Sequence, residues 1–426
     1  MPDGYGLGRS AGWSERLHAT GADALYLHVP FCAKKCAYCD FASWATPRGD
    51  GLSQPYAQAL AEQVEQVASL GFLGRCETAY IGGGTPTFLG KGLGGLVRRV
   101  TADAPGLCEL TCEANPDSLT DGVLADIASA GATRISMGVQ SLCDAELVEL
   151  SRIHDAEQAR NRVRAAVLSG LDVSCDLMCA IPRQMPASWR TTLEEAASLG
   201  VGHVSIYPLQ IEGGTTLARR VGDEQPIWNS PDVQASRMKQ AQVELEDYGF
   251  HRYEVASYAR SADKECLHNQ VYWTGRPYLG LGSGAASMLT AEGYLRLLEA
   301  CPQLGPLPDG MTRVRLKVLS GRDEISNNRG LASLSFEEEF LTERQAVAED
   351  LMLGARLARG LDAGLVSYAR SILAPSLDER LERLVGEGRL DDSLAPTEKG
   401  WLLGNELYGG LWDLAGDTET LVRRSP

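Results

Sequence analysis

Through the first half of the chain, short apolar runs alternate with longer stretches in which apolar residues return every three or four positions. The runs Ala24–Val29, Thr78–Ile81, Glu109–Glu113, Arg134–Met137, Val173–Met178 and His203–Tyr207 read as strands. Helical periodicity covers Pro55–Leu70, Leu89–Ala102, Thr120–Ala130, Asp155–Leu168 and Ala187–Leu199. Strands that alternate with helices predict parallel β/α units, hence an α/β fold. Six units suggest a partial barrel rather than a closed eight, although the count alone does not separate a barrel from an open doubly wound sheet.

The second half is less regular. A helix is expected near Asp232–Tyr248, a strand over His251–Tyr258, and a glycine-rich stretch over Gly275–Gly284. Residues 300–335 hold few long apolar runs and read as a connector. From Phe336 onward the pattern turns helical, with Glu343–Arg359 and Ser376–Glu387, followed by a short hairpin after Gly388 and a last helix within Thr397–Leu411. This gives an N-terminal extension (1–23), a core barrel (24–230), a flanking region with connector (231–335) and a small C-terminal α+β domain (336–426).

The chain has 426 residues, enough for more than one domain. It carries 40 basic and 56 acidic residues, a net charge of −16, which argues against non-specific nucleic-acid binding because that rests on cationic surface. No apolar run reaches the length of a transmembrane helix, and Met1–Ala19 has no apolar core of a secretory signal. The expected location is the cytoplasm, with docking at a membrane surface left open. In that reducing setting, most of the 11 cysteines are expected to act as small buried apolar residues.

Three of them differ. Cys32, Cys36 and Cys39 form a C-x3-C-x2-C run between Phe31 and Phe41. A zinc site would show a second cysteine pair or spaced histidines, and none follows nearby. Three thiolates on one loop suit three irons of a [4Fe–4S] cluster, leaving the fourth iron open to a small molecule; clusters more often have four cysteines. Other suspicious polar elements fall at the carboxyl ends of predicted strands, where parallel β/α folds bind ligands. Gly82-Gly83-Gly84-Thr85-Pro86-Thr87 follows the second strand, Glu113 ends the third, Gln140 follows the fourth and Asp176 lies near the end of the fifth. A further run, His268-Asn269-Gln270-Val271-Tyr272-Trp273, places a histidine beside two aromatics. A lone histidine is more often a structural hydrogen-bonder than a ligand, though histidine is also a common axial ligand of heme iron.

The cysteine loop resembles the signature of radical S-adenosylmethionine (SAM) proteins. Together with Gly82–Thr87, Glu113-Ala114-Asn115-Pro116 and Met137-Gly138-Val139-Gln140-Ser141, it resembles the family of oxygen-independent coproporphyrinogen III oxidases and their heme-chaperone branch, strongly over residues 24–290 and more loosely beyond. The resemblance implies a partial (β/α)6 barrel, a winged-helix-like C-terminal domain, and a cluster on Cys32, Cys36 and Cys39 whose open iron holds SAM and cleaves it to a radical. It implies SAM contacts from Tyr26, Gly83, Gly84, Thr85, Glu113, Gln140, Arg152 and Asp176. The oxidase branch has a fourth cysteine where this chain has Phe41, and a longer N-terminal segment. The H-N-x-x-Y-W pattern is linked to heme binding in the chaperone branch and would make His268 the heme ligand, its loss abolishing heme binding. The resemblance thus implies a heme carrier serving client hemoproteins such as respiratory cytochromes. An electron donor such as flavodoxin or ferredoxin would accompany it, with a homodimer left open. The alternative is the oxidase itself, converting coproporphyrinogen III to protoporphyrinogen IX.

Overall fold

The computed structural model describes residue 16 and residues 18–47, 49–417 and 419–425. The N-terminal extension expected over 1–23 lies for the most part outside the described residues. Six strands form the centre: β1 Ala24–Val29, β2 Thr78–Gly83, β3 Glu109–Ala114, β4 Arg134–Gln140, β5 Asp172–Cys179 and β6 His203–Pro208. They pair in parallel in chain order. Helices Ser53–Ser69, Lys91–Asp103, Asp121–Ala130, Ala156–Leu168 and Pro186–Ser198 return the chain between them. Thr120 and Asp155 cap two of these helices by accepting from Val123 N and Gln158 N, which satisfies otherwise orphaned amides. Leu25, Leu27, Ile81, Leu110, Ile135, Cys175 and Val204 are fully buried and belong to the main apolar core.

The sheet does not close, because β1 pairs on its far side with Tyr278–Leu281 rather than with β6. A partial barrel of six β/α units is therefore the observed architecture. Strands Ala286–Thr290, Met311–Val318, Phe336–Thr342 and Leu421–Arg424 extend the sheet antiparallel beyond Tyr278–Leu281.

These added strands change the reading of the second half. Residues 300–335, expected as a connector, contain the eight-residue strand Met311–Val318. The boundary expected at 335/336 falls inside the sheet, since Phe336–Thr342 pairs along the whole of Met311–Val318. A run of three glutamates, Glu337 to Glu339, hid that strand. Glu338 is fully buried and accepts from Tyr294 Oη and the Arg423 guanidinium, so an acidic side chain occupies a core-facing position. His251–Tyr258, expected as one strand, is a hairpin of His251–Arg252 and Ser257–Ala259 against β6. Helices Glu343–Gly354, Ala363–Leu373, Ser376–Gly386 and Gly404–Trp412 share a second apolar cluster. The turn among them is closed by the single bridge Leu390–Pro396.

Candidate functional site

The barrel encloses a chamber of about 560 Å³. Cys32, Cys36 and Cys39 lie at its mouth, together with Gly83, Gly84, Thr85, Glu113, Gln140, Arg152 and Asp176. Residues separated by more than a hundred positions in the chain are thus brought to one cavity. Tyr26 stands beside it on β1, its ring stacked 6.3 Å from that of Tyr80, which lines the wall.

The cysteine loop is held by backbone bonds. Thr46 N donates to Cys32 O and Trp44 N to Pro30 O, both at 2.8 Å, and Cys39 N donates to Cys36 O at 3.3 Å. His28 Nε2 donates to Ala42 O at 2.8 Å while its Nδ1 accepts from Tyr26 Oη at 2.9 Å, so β1 grips the far end of the loop. Gly84 lets the second strand approach this loop: a Cβ there would lie 2.8 Å from Phe31 O and 3.0 Å from Cys32 Sγ. Gly83 has φ +115, and a Cβ on it would meet the His28 ring at 2.6 Å. These close approaches give the glycine run a physical reason.

Each cysteine sulfur lies within reach of a polar side chain. Arg152 Nη1 donates to Cys36 Sγ at 3.3 Å, Thr85 Oγ1 to Cys32 Sγ at 3.6 Å, and Ser43 Oγ lies 3.8 Å from Cys39 Sγ. Burial pushes the Cys32 thiol up, against the pull of Thr85 and Ser43, so proton release would accompany metal binding there. No three His, Cys, Asp or Glu side chains among the described residues converge on a single ion. A four-iron cluster spreads its cysteines over separate irons, so three free thiols on one loop fit it without such convergence. Arg152 Nε is buried without a hydrogen-bond partner at the same chamber, a donor left for a ligand carboxylate.

Two carboxyls that line the chamber titrate well above the usual carboxylate range. Burial raises Glu113 to about 7, partly offset by bonds from Gly83 N and Tyr80 Oη, with Asp176 adding repulsion. Burial also raises Asp176 to about 6, with Ser136, Ser205 and Ser174 pulling the other way. Gln140 ends β4 with φ +67, a costly conformation for a residue with a side chain, at a break in the strand register.

His268 lies on the short helix Leu267–Trp273, which bonds to Thr78 and Glu109 at the starts of β2 and β3, the strand ends away from the cysteine loop, while Asn269 on the same helix lines the chamber. His268 does not present a free imidazole. Only 1% exposed, its Nδ1 is 3.0 Å from Thr78 Oγ1 and its Nε2 is 2.8 Å from Tyr272 Oη. Its ring stacks on Tyr80 at 5.1 Å, and burial drives its pKa down to about 3. Tyr272 packs edge-on against Tyr278, and the Arg356 guanidinium lies 5.1 Å over the Trp273 ring, so both rings are engaged by protein neighbours. Among the side chains that sequence reasoning passed over as site residues are Tyr80, Asn115, Ser136, Ser174 and Ser205. Asn115 stood in the Glu113-Ala114-Asn115-Pro116 run that carries the resemblance, but only Glu113 of that run was read as a site residue.

A parallel β/α partial barrel with a three-cysteine loop after β1 and a glycine run after β2 defines a radical SAM protein. The radical SAM superfamily model matches residues 26–196. The chain is 33% identical over 389 residues to heme chaperone HemW of Mycobacterium tuberculosis, covering 89% of this chain and 92% of the relative. It is 30% identical over 399 residues to heme chaperone HemW of Bacillus subtilis, covering 90% and 97%. In structure it resembles coproporphyrinogen III oxidase (HemN) of Escherichia coli, with a TM-score of 0.72 at 20% identity, covering 95% and 92%. The chain belongs to the HemW family. Membership of the radical SAM superfamily implies a [4Fe–4S] cluster and SAM. Among the described residues no helix is long and apolar enough to cross a membrane.

The raised carboxyls make a pH prediction. SAM carries a sulfonium and an ammonium, and positive charge beside Glu113 and Asp176 favours their ionised forms. Binding would therefore expel protons, and affinity should rise about tenfold between pH 6 and pH 8, as expected for one group titrating near 7. Without ligand the sign reverses for stability. Between roughly pH 4 and 7 the folded state binds more protons than the unfolded chain, so stability falls as pH rises through that window. Calorimetry in buffers of different ionisation enthalpy reads both affinity and proton release. A flat affinity without proton release would show that these carboxyls do not face the bound cation.

Proposed function

We propose that this chain is a heme chaperone, binding heme and passing it to client hemoproteins such as respiratory cytochromes, and that Cys32, Cys36 and Cys39 hold a [4Fe–4S] cluster with SAM on its open iron. The observation that carries the reading is similarity to HemW relatives over nine-tenths of the chain, through barrel and C-terminal segment alike. When bound, the cluster and SAM supply one-electron chemistry to the chamber. The chain's own residues do the positioning. Arg152 offers a guanidinium to the methionine carboxylate, Thr85 and the backbone of Gly83 and Gly84 border it, and Tyr26, Glu113, Gln140 and Asp176 surround the remainder. With both ring nitrogens of His268 engaged, heme docking in this state uses other groups. A flavodoxin or ferredoxin as electron donor, a homodimer and a peripheral membrane position accompany the reading.

The competing reading is the oxidase, favoured by the fold likeness to HemN. Phe41 stands against it: it is 68% exposed at the mouth of the chamber, where the oxidase signature has a cysteine. Anaerobically reconstituted protein should bind heme in a spectral titration and transfer it to an apocytochrome. Given SAM, dithionite and coproporphyrinogen III, it should form no protoporphyrinogen. Protoporphyrinogen in proportion to 5′-deoxyadenosine, without heme transfer, would replace the chaperone reading with the oxidase.

A further inference from the structure

Two of the three cysteine sulfurs are joined through the protein itself. Arg152 Nη1 donates to Cys36 Sγ, and Nη2 donates to Asn115 Oδ1 at 2.7 Å and to Gly138 O at 2.9 Å. Asn115 Nδ2 donates to Thr85 Oγ1 at 2.9 Å, and Thr85 Oγ1 reaches Cys32 Sγ. The belt therefore runs Cys36, Arg152, Asn115, Thr85, Cys32.

Its direction is fixed by chemistry. A guanidinium has only donors, so the amide atom facing Arg152 must be the oxygen. The amide nitrogen then faces Thr85, whose oxygen accepts that bond. Because Thr85 is the acceptor in that bond, its hydroxyl hydrogen stays available for the Cys32 sulfur. One asparagine thus aims a charged donor at one thiolate and a neutral donor at another. Ser43, whose hydroxyl lies 3.8 Å from Cys39 Sγ and also pulls on Cys32, is not linked to Asn115 in this belt.

We propose that Asn115 is a positioning residue that sets the reduction potential of the cluster by orienting the donors to Cys32 and Cys36. The proposal rests on the cluster reading given above. Hydrogen bonds to ligand sulfurs stabilise the more negative, reduced cluster and so raise its potential. Because Asn115 acts through Thr85, the two residues must be coupled, whereas Ser43 must act independently.

The test is redox titration by electron paramagnetic resonance on the reconstituted full chain. Four variants are compared: N115L, which removes donor and acceptor without adding charge, T85V, S43A and T85S. N115L and T85V should each shift the midpoint to more negative potential, and T85S should stay at the wild-type value. In the N115L background T85V should cause little further shift, while S43A should cause the same shift in both backgrounds. If N115L loads no cluster, N115A serves in the same comparison. An unchanged midpoint in T85V, or shifts of T85V and N115L that simply add, overturns the proposal while leaving the cluster reading intact. Failure of the wild type to assemble a four-iron cluster removes both.

Discussion

Arg313→Met is expected to lower folding stability by about 3–5 kcal/mol, because it strips the buried Asp350 carboxylate of its hydrogen-bonded cation and leaves Glu349 with Arg315 alone. Arg313 lies on Met311–Val318 and is only 4% exposed. Its Nη1 donates to Glu349 Oε2 at 2.8 Å and to Ala346 O at 3.1 Å, and its Nη2 to Asp350 Oδ2 at 2.9 Å. Arg315 adds a second contact to Glu349 at 3.0 Å. The network fastens helix Glu343–Gly354 to the sheet. It also supports the turn after helix Leu267–Trp273, where a Cβ on Gly275 would lie 2.1 Å from Asp350 Oδ1. Burial already holds Asp350 up at about 6 with Arg313 present. Without Arg313 its carboxyl rises further, so the folded variant retains protons that the unfolded chain has lost. The deficit should therefore shrink as pH falls toward 5 and grow as pH rises above the Asp350 pKa. Denaturant unfolding at pH 5.5 and 8 measures this, and a pH-independent loss below about 1 kcal/mol would show a network of surface strength only.

The parallel half was legible because each unit states its own period: a short apolar strand, then an amphipathic helix. The chamber was legible because strand ends in such folds share one mouth, and Cys32, Gly84, Glu113, Gln140 and Asp176 line a single cavity. What escaped was partnership at long range. Thr78 lies 190 positions from His268, and nothing in the local run predicts that its hydroxyl takes one ring nitrogen. The Asn115 belt depends on four side-chain contacts that no spacing rule encodes. Met311–Val318 did carry a strand signal, since Val314, Leu316 and Val318 alternate with Arg313, Arg315 and Lys317, but the alternation breaks up any long apolar run and the stretch read as a connector. In Phe336–Thr342 the period survives only if a glutamate counts as buried, and that is decided by Arg423 and Tyr294 far away in the chain.

His268→Ala is expected to destabilise the protein by about 2–4 kcal/mol, from the cavity beneath Tyr80 and two hydroxyls left without their partner. Heme binding per folded molecule should persist. His268→Gln, which keeps polar atoms at the site but offers no imidazole to iron, should recover much of the stability. The two variants share a pH signature. Burial lowers the imidazole to about 3 from an ordinary value of 6.5, so the unfolded chain takes up a proton that the folded one refuses. That imidazole's contribution is complete above 6.5 and is lost as pH falls toward 3; both variants should therefore lose stability less steeply in acid than the wild type. Heme titrations at matched folded fraction separate the two roles. If both variants melt like the wild type yet bind no heme, the helix Leu267–Trp273 must open to release His268 from Thr78 and Tyr272, and the imidazole is the iron ligand that the sequence pattern implied. If heme binding follows the folded fraction, the histidine pins the barrel end, and the ligand is to be sought among groups that the closed structure leaves free.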